Sequence, residues 1–314
     1  MPDAKTTLLI LLGVVALAFV VFWTGALLAQ AKKRRAEKSG DETRIAPTPY
    51  QYLVGFVTDF LDTLGIGSFA TTTSLYRARK TIDDRLLPGT LNVGHTIPTC
   101  AQAFIYTKSV EVDARTLIAM IVAAVVGALV GAPIDSRWPR RTIQIGMGCA
   151  LLLLTGVLVY RQLWTEPKTG TVGLEGSLFF IGVVGNFVLG ALMTIGVGLY
   201  APCLVMVSML GMNPGTGFPI MMASCAFLMP LASVPFVKRE CYSPSAALGL
   251  TLAGLPAVFI AWLWFEKLDI NKVKWLVAVV VVYTAITLLM AAMRKSDPGV
   301  ASCVADSAPP KQLS

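Results

Sequence analysis

Three ionisable side chains stand inside stretches otherwise fit for lipid: Asp59, Asp62 and His95. A helix puts Asp59 and Asp62, at i and i+3, on one face. His95 is the chain's single histidine. It belongs to a polar row in which Asn92, His95, Thr96, Thr99, Gln102 and Tyr106 fall within about 120° of a helix circumference. Charged groups at that depth are costly unless paired or watered, so they suggest function, and for these types the function is proton transfer. Asp59, Asp62 and His95 are therefore proton-coupling candidates. A plainer reading pairs the acids with Arg77, Arg79 or Lys108 or sets them near a wet vestibule, and makes His95 a hydrogen-bonded link between helices through Asn92 or a backbone carbonyl.

These groups lie beside a duplicated interruption. Leu61-Asp62-Thr63-Leu64-Gly65-Ile66-Gly67 stands opposite Leu192-Met193-Thr194-Ile195-Gly196-Val197-Gly198, about 131 positions on, with Ala70 opposite Ala201 and Pro88 opposite Pro219. Apolar segments broken by glycine at matching places in two halves mark the substrate site of a carrier. The half-helices that follow each break leave unpaired N–H groups and a positive dipole end, which together attract an anion without a buried cation. Glycine permits positive φ and close backbone approach, expected here at Gly67 and Gly198. Hydroxyls of Ser68, Thr71, Thr72, Thr73 and Thr194 add donors. Substrate contact is accordingly expected from Gly65, Gly67, Ser68, Thr71, Thr72, Asn92, His95, Thr99, Thr194, Gly196 and Gly198. The glycines have a second reading as packing residues between helices in lipid.

Composition sets the class. A hydrophobic fraction of 55% with a charged fraction of 14% and a mean hydropathy of +0.69 do not suit a soluble domain of this length. The net charge of +8 sits in short loops between apolar runs, which fits a membrane surface and not nucleic acid. The six cysteines show no CxxC and no histidine at ligand spacing, so neither metal, disulfide nor cofactor is expected.

Apolar runs long enough to span about 30 Å of hydrocarbon are found at residues 7–29, 86–106, 117–134, 143–160, 218–237, 246–265 and 273–293. The first is read as an anchor and not a cleaved signal, because Lys32-Lys33-Arg34-Arg35 follows at once. Two longer stretches, 50–76 and 178–210, hold the glycine breaks. If each enters the membrane and turns back as a hairpin, the basic loops at 32–35, 77–85, 137–141 and 238–239 all fall on the cytoplasmic side; a single crossing at 50–76 would put Arg77 to Arg85 outside. The fold expected is an all-α polytopic membrane protein of two inverted-topology repeats, each a Gly-broken helical hairpin followed by transmembrane helices. Its parts are an N-terminal transmembrane anchor (1–31), a cytoplasmic linker (32–48), a first repeat (49–135), a connecting helix and loop (136–177), a second repeat (178–265), a last helix with its preceding loop (266–294), and a disordered cytoplasmic tail (295–314). The N-terminus is placed outside the cytoplasmic (inner) membrane and the C-terminus inside.

This arrangement resembles the TauE/SafE family of sulfite and organosulfonate exporters. The likeness is carried by 55–133 and 185–265: a Gly-rich break after an apolar run, an apolar helix with Pro or Thr, a basic turn and a further helix pair, all repeated. The family commonly has three consecutive glycines at the break, whereas this chain reads Gly65-Ile66-Gly67-Ser68-Phe69 and Gly196-Val197-Gly198-Leu199-Tyr200-Ala201-Pro202. The resemblance implies export of a small sulfur oxyanion such as sulfite or sulfoacetate, with lipid and that anion as partners and a homodimer left open. Two other classes are weighed. An intramembrane enzyme would need more than Ser68 and His95, which lack a base-orienting group or nucleophile motif, so an enzyme is not expected. A passive anion channel also uses half-helix N-termini, and saturating flux would separate a carrier from it.

Overall fold

A computed structural model describes residues 3–36, 46–131, 140–164, 170–194 and 198–293. Its helices are α1 (Ala4–Ala36), α2 (Pro49–Thr63), α3 (Ser68–Arg79), α4 (Leu87–Ser109), α5 (Ala114–Gly131), α6 (Arg140–Trp164), α7 (Gly176–Thr194), α8 (Tyr200–Met209), α9 (Gly217–Lys238), α10 (Pro244–Phe265) and α11 (Ile270–Met293). No strand occurs among the described residues; backbone pairing outside helices is an isolated bridge between Thr171 and Met212. Gly196, most of the linker and the tail from residue 295 lie outside the described residues.

Among the described residues, six helical stretches are long and apolar enough to cross a membrane: Ala4–Lys33, Ala114–Gly131, Gly176–Met193, Pro214–Lys238, Pro244–Phe265 and Asn271–Met290. The chain is an all-α polytopic membrane protein. Large apolar side chains such as Leu53, Phe56, Phe104, Val126, Leu129 and Phe180 are exposed on the outside, where lipid and not water would cover them. α4 is long enough to span, at 23 residues, but carries its polar side chains inward: His95, Thr96 and Gln102 are fully buried.

Both broken stretches fold back. α2 begins with a capping box, Thr48 accepting from the Gln51 N–H at 3.3 Å while the Gln51 side chain accepts from the Thr48 N–H at 2.9 Å, and Pro49 supplies the first turn. The Tyr50 hydroxyl donates to the Leu75 carbonyl at 2.7 Å, and the Arg79 guanidinium lies 4.4 Å from the Tyr50 ring. The start of α2 and the end of α3 therefore sit side by side, as a hairpin requires and a single crossing forbids. In the second half the Thr171 N–H donates to Gly211 at 3.1 Å and the Asn213 N–H returns to Thr171 at 2.9 Å. The chain entering α7 thus lies beside the chain leaving α8.

The halves interlock. α2 runs parallel to α10 with Gly55 against the Gly249–Leu250 backbone, and α7 runs parallel to α5 with Gly190 against Ala124 and Gly127 against Phe187. Backbones approach this closely only where side chains are absent, which is how helices associate in lipid. At the centre α4 and α9 are antiparallel: Thr96 meets Ser233 at 3.2 Å, Cys100 meets Ala226, and the Tyr106 and Phe218 rings stack at 5.4 Å. α1 rests against this pair through Phe19 and Trp23, beside Val93 and Val237.

Gly127 gives a direct check of the glycine seams. A Cβ there would collide with the Phe187 carbonyl, so Gly127→Ala should cost about 1–3 kcal/mol through overpacking. A lower unfolding midpoint in detergent, with anion affinity kept, is the expected result; an unchanged midpoint would show that α5 and α7 are not held at backbone contact.

Candidate functional site

The tip of the first hairpin is built by its glycines. α2 stops because Gly65 takes a φ of 95° and turns its N–H back to the Asp62 carbonyl at 2.8 Å. Gly67, at φ 85° and ψ 131°, then opens α3 with no side-chain cap. Open space faces the position a Cβ would take at Gly67, and the same holds at Gly198. Gly198 is exposed. Residues 195–197 lie outside the described residues, and α8 starts at Tyr200 from helical backbone at Leu199.

Around the tip a polar cluster closes. Asp59 and His95 are fully buried, with His95 Nδ1 2.8 Å from Asp59 Oδ1 and Nε2 3.0 Å from the Thr72 hydroxyl. With Nδ1–H donating to Asp59 Oδ1, Nε2 is left to accept from the Thr72 hydroxyl. One histidine thereby ties α2, α3 and α4 together. The plainer pairings proposed from sequence are not formed. Arg77 pairs with Asp84 at 3.0 Å, Arg79 stacks on Tyr50, and Asn92 donates to the Pro88 carbonyl of its own helix at 2.9 Å.

Asp62, 2% exposed, has a separate set of partners. Gln102 Nε2 donates to Asp62 Oδ2 and to the Thr63 hydroxyl, both at 3.0 Å. The Tyr200 hydroxyl reaches Gln102 Oε1 at 3.2 Å and Asp62 Oδ2 at 3.4 Å, with Thr99 near it. Ser68, which opens α3, lies near the same carboxylate. Tyr106 donates to the Thr63 carbonyl at 2.9 Å. Here the two halves meet, because Tyr200 belongs to the second hairpin.

The sequence-derived residues divide accordingly. Gly65, Gly67, Ser68, Thr72, His95 and Thr99 surround this cluster together with Asp59 and Asp62. Thr71 bonds to the Ser68 carbonyl at 2.8 Å, and Thr96 turns to Ser233, so the polar row of α4 splits between two neighbours. Thr194 ends α7, and Gly196 is outside the described residues. Tyr200 was not singled out by the sequence, although its place two residues after Gly198 marks it as a tip residue. Gln102 was seen in the α4 row but not as a partner of Asp62. Among the described residues, no group of three or more His, Cys, Asp or Glu could hold a metal ion. The expectation of no disulfide is corrected at Cys241, which is disulfide-bonded.

An all-helical membrane body with two fold-back hairpins and a buried polar cluster at their junction defines a polytopic protein of the transporter class. The family model for the sulfite exporter TauE/SafE matches residues 3–159, half of the chain, and the chain belongs to that family. No curated protein and no solved structure matches it. The matched residues run from α1 into α6 and include Asp59, Asp62 and His95. Membership makes this a transport protein at the level of its family.

Proposed function

We propose that the chain exports a small sulfur oxyanion, sulfite, sulfoacetate or a related organosulfonate, across the cytoplasmic membrane by alternating access. The observation that carries this reading is the junction of the hairpin tips, where the start of α3 and the side chains of His95, Thr99, Gln102 and Tyr200 converge inside a body whose outside is apolar. Backbone N–H groups at a helix start and hydroxyl donors recognise an oxyanion without a fixed cation. Substrate contact is assigned to Gly65, Gly67, Ser68, Thr72, His95 and Thr99 from the first half and to Thr194, Gly196 and Gly198 from the second. Thr71 and Asn92 contribute through the backbone they brace.

Proton movement runs through Asp59, Asp62 and His95, with Thr72 as the hydroxyl next to the imidazole. The two halves are read as inverted repeats. Support comes from the antiparallel run of α4 against α9, which hold equivalent places in the two halves, and from the crossed pairing of α2 with α10 and α7 with α5. The spacing of about 131 residues also relates α6 to α11, so the repeats extend through those helices. The N-terminus lies outside and the C-terminus in the cytoplasm, which keeps Arg77 to Arg85 on the positive side.

A panel of anions tests the assignment. Sulfite and sulfoacetate should raise the unfolding midpoint of the purified protein, since a ligand at about 100 times its Kd adds about 2.7 kcal/mol. Chloride at equal ionic strength should not. Equal stabilisation by chloride would overturn the sulfur-oxyanion reading, and flux that fails to saturate would favour a channel.

A further inference from the structure

We propose that the C-terminal ends of α1 and α9 hold between them the headgroup of an anionic phospholipid. The site is separate from the hairpin tips, and only the name of its leaflet rests on the sidedness proposed above, which makes it the cytoplasmic one. On α1, Phe22, Ala26, Gln30 and Lys33 recur at intervals of four, four and three residues, so they form one stripe of the helix. Together with Val237 and Lys238 of α9 that stripe lines a cavity of about 240 Å³.

Its wall changes from apolar to charged along the membrane normal. Phe22, Ala26 and Val237 belong to the spanning stretches, whereas Lys33 and Lys238 are the last residues of those two spans. A phospholipid presents chain, then phosphate, in the same order; a free phosphate would use the charged end alone. The volume of about 240 Å³ is under the roughly 300–1,000 Å³ that encloses a whole small ligand. A headgroup fits, and its chains stay in lipid.

An independent observation is the state of Gln30, a polar side chain only 6% exposed. Its Oε1 accepts from the Tyr242 hydroxyl at 3.2 Å, but its amide NH2 has no hydrogen-bond partner among the described residues. That group is not sealed off either, since Gln30 lines the cavity. A buried donor left unmet is costly, and an acceptor entering the cavity relieves it. The charges select a phosphate as that acceptor. Lys33 meets Glu240 at 3.6 Å in a pair exposed on both sides, which is worth little, and Lys238 forms no ion pair among the described residues. Two lysines against one glutamate favour a net negative headgroup over a zwitterionic one. The basic runs Lys32-Lys33-Arg34-Arg35 and Lys238-Arg239 add attraction for the same charge. Bound there, the lipid would fill the seam between α1 and α9 just beyond the contact of Phe19 and Trp23 with Val93 and Val237.

Native mass spectrometry and unfolding midpoints on the delipidated, detergent-purified full chain test this, with dioleoylphosphatidylglycerol, dioleoylphosphatidylcholine and inorganic phosphate as probes. Phosphatidylglycerol should bind about tenfold more tightly than phosphatidylcholine and raise the midpoint, and inorganic phosphate should not raise it. Gln30→Leu and Lys238→Gln should each weaken phosphatidylglycerol binding by about fivefold. Ala29→Trp, at an exposed position on the cavity rim, fills the space without removing a polar group and should abolish the difference between the two lipids. It keeps the test decisive if Gln30→Leu does not fold. Equal binding of both lipids by wild-type protein would overturn the proposal, as would wild-type lipid affinity in folded Lys238→Gln and Ala29→Trp. Stabilisation by inorganic phosphate equal to that by phosphatidylglycerol would make the occupant a free anion and overturn it too.

Discussion

Gly67→Val should reduce binding of sulfite, sulfoacetate and sulfate by about 100-fold or more while the protein remains folded and inserted. At φ 85° and ψ 131° the residue occupies a region open essentially to glycine, and a β-branched side chain there costs about 1–3 kcal/mol unless the backbone moves. Movement is cheap, because the added side chain meets no neighbour. The strain is therefore relieved by displacing the start of α3, which is where the anion is proposed to bind. Gly65 is a poorer probe, since a side chain there would press on Leu204, Phe218 and Met221 and confuse folding with binding. Gly198→Val fills the open space in front of Gly198 and should weaken binding by about tenfold, within the range that lost or crowded hydrogen bonds give. Isotherms on folded, detergent-purified variants separate these outcomes. Wild-type affinity in Gly67→Val would move the anion site away from the first break, towards the α4 face between Asn92 and Tyr106.

The second large effect is expected at the buried Asp59–His95 pair. His95→Gln and Asp59→Asn should each lower pH-driven transport by about two orders of magnitude, the usual scale for removing a group that carries a proton, while anion affinity changes by less than about tenfold. Each single change also leaves a partner unpaired inside the protein and should cost about 3–5 kcal/mol of stability. The double variant restores a neutral, hydrogen-bonded pair, so stability should recover and transport should not. Transport by reconstituted vesicles under an imposed pH gradient, read beside the unfolding midpoint, distinguishes the two roles. Recovery of pH-driven flux in the double variant would leave Asp59 and His95 as structural groups that join α2, α3 and α4.

Much of the architecture was legible because it follows from local rules. Hydropathy fixed an all-helical membrane body, and the glycines at 65 and 67 marked a hairpin tip. Arg77 to Arg85 argued for a fold-back that the Tyr50–Leu75 hydrogen bond bears out. The polar row of α4 was visible as a helical face, and the i, i+3 acids as another. Such features depend on chain stereochemistry and on transfer from water to lipid, both of which are read from neighbours in sequence.

Which polar groups would meet was not legible. Asp59 chose His95, 36 positions away, over the nearby arginines, and Asp62 chose Gln102 and Tyr200, the latter 138 positions away. Periodicity names the inward face of a helix but not the rotation and depth at which another face arrives. Tyr200 of the second hairpin reaches Asp62 and Gln102 of the first. Only the tertiary structure could decide that, since a hydrogen bond between distant segments forms at the distance and angle their packing allows, and no local rule contains either.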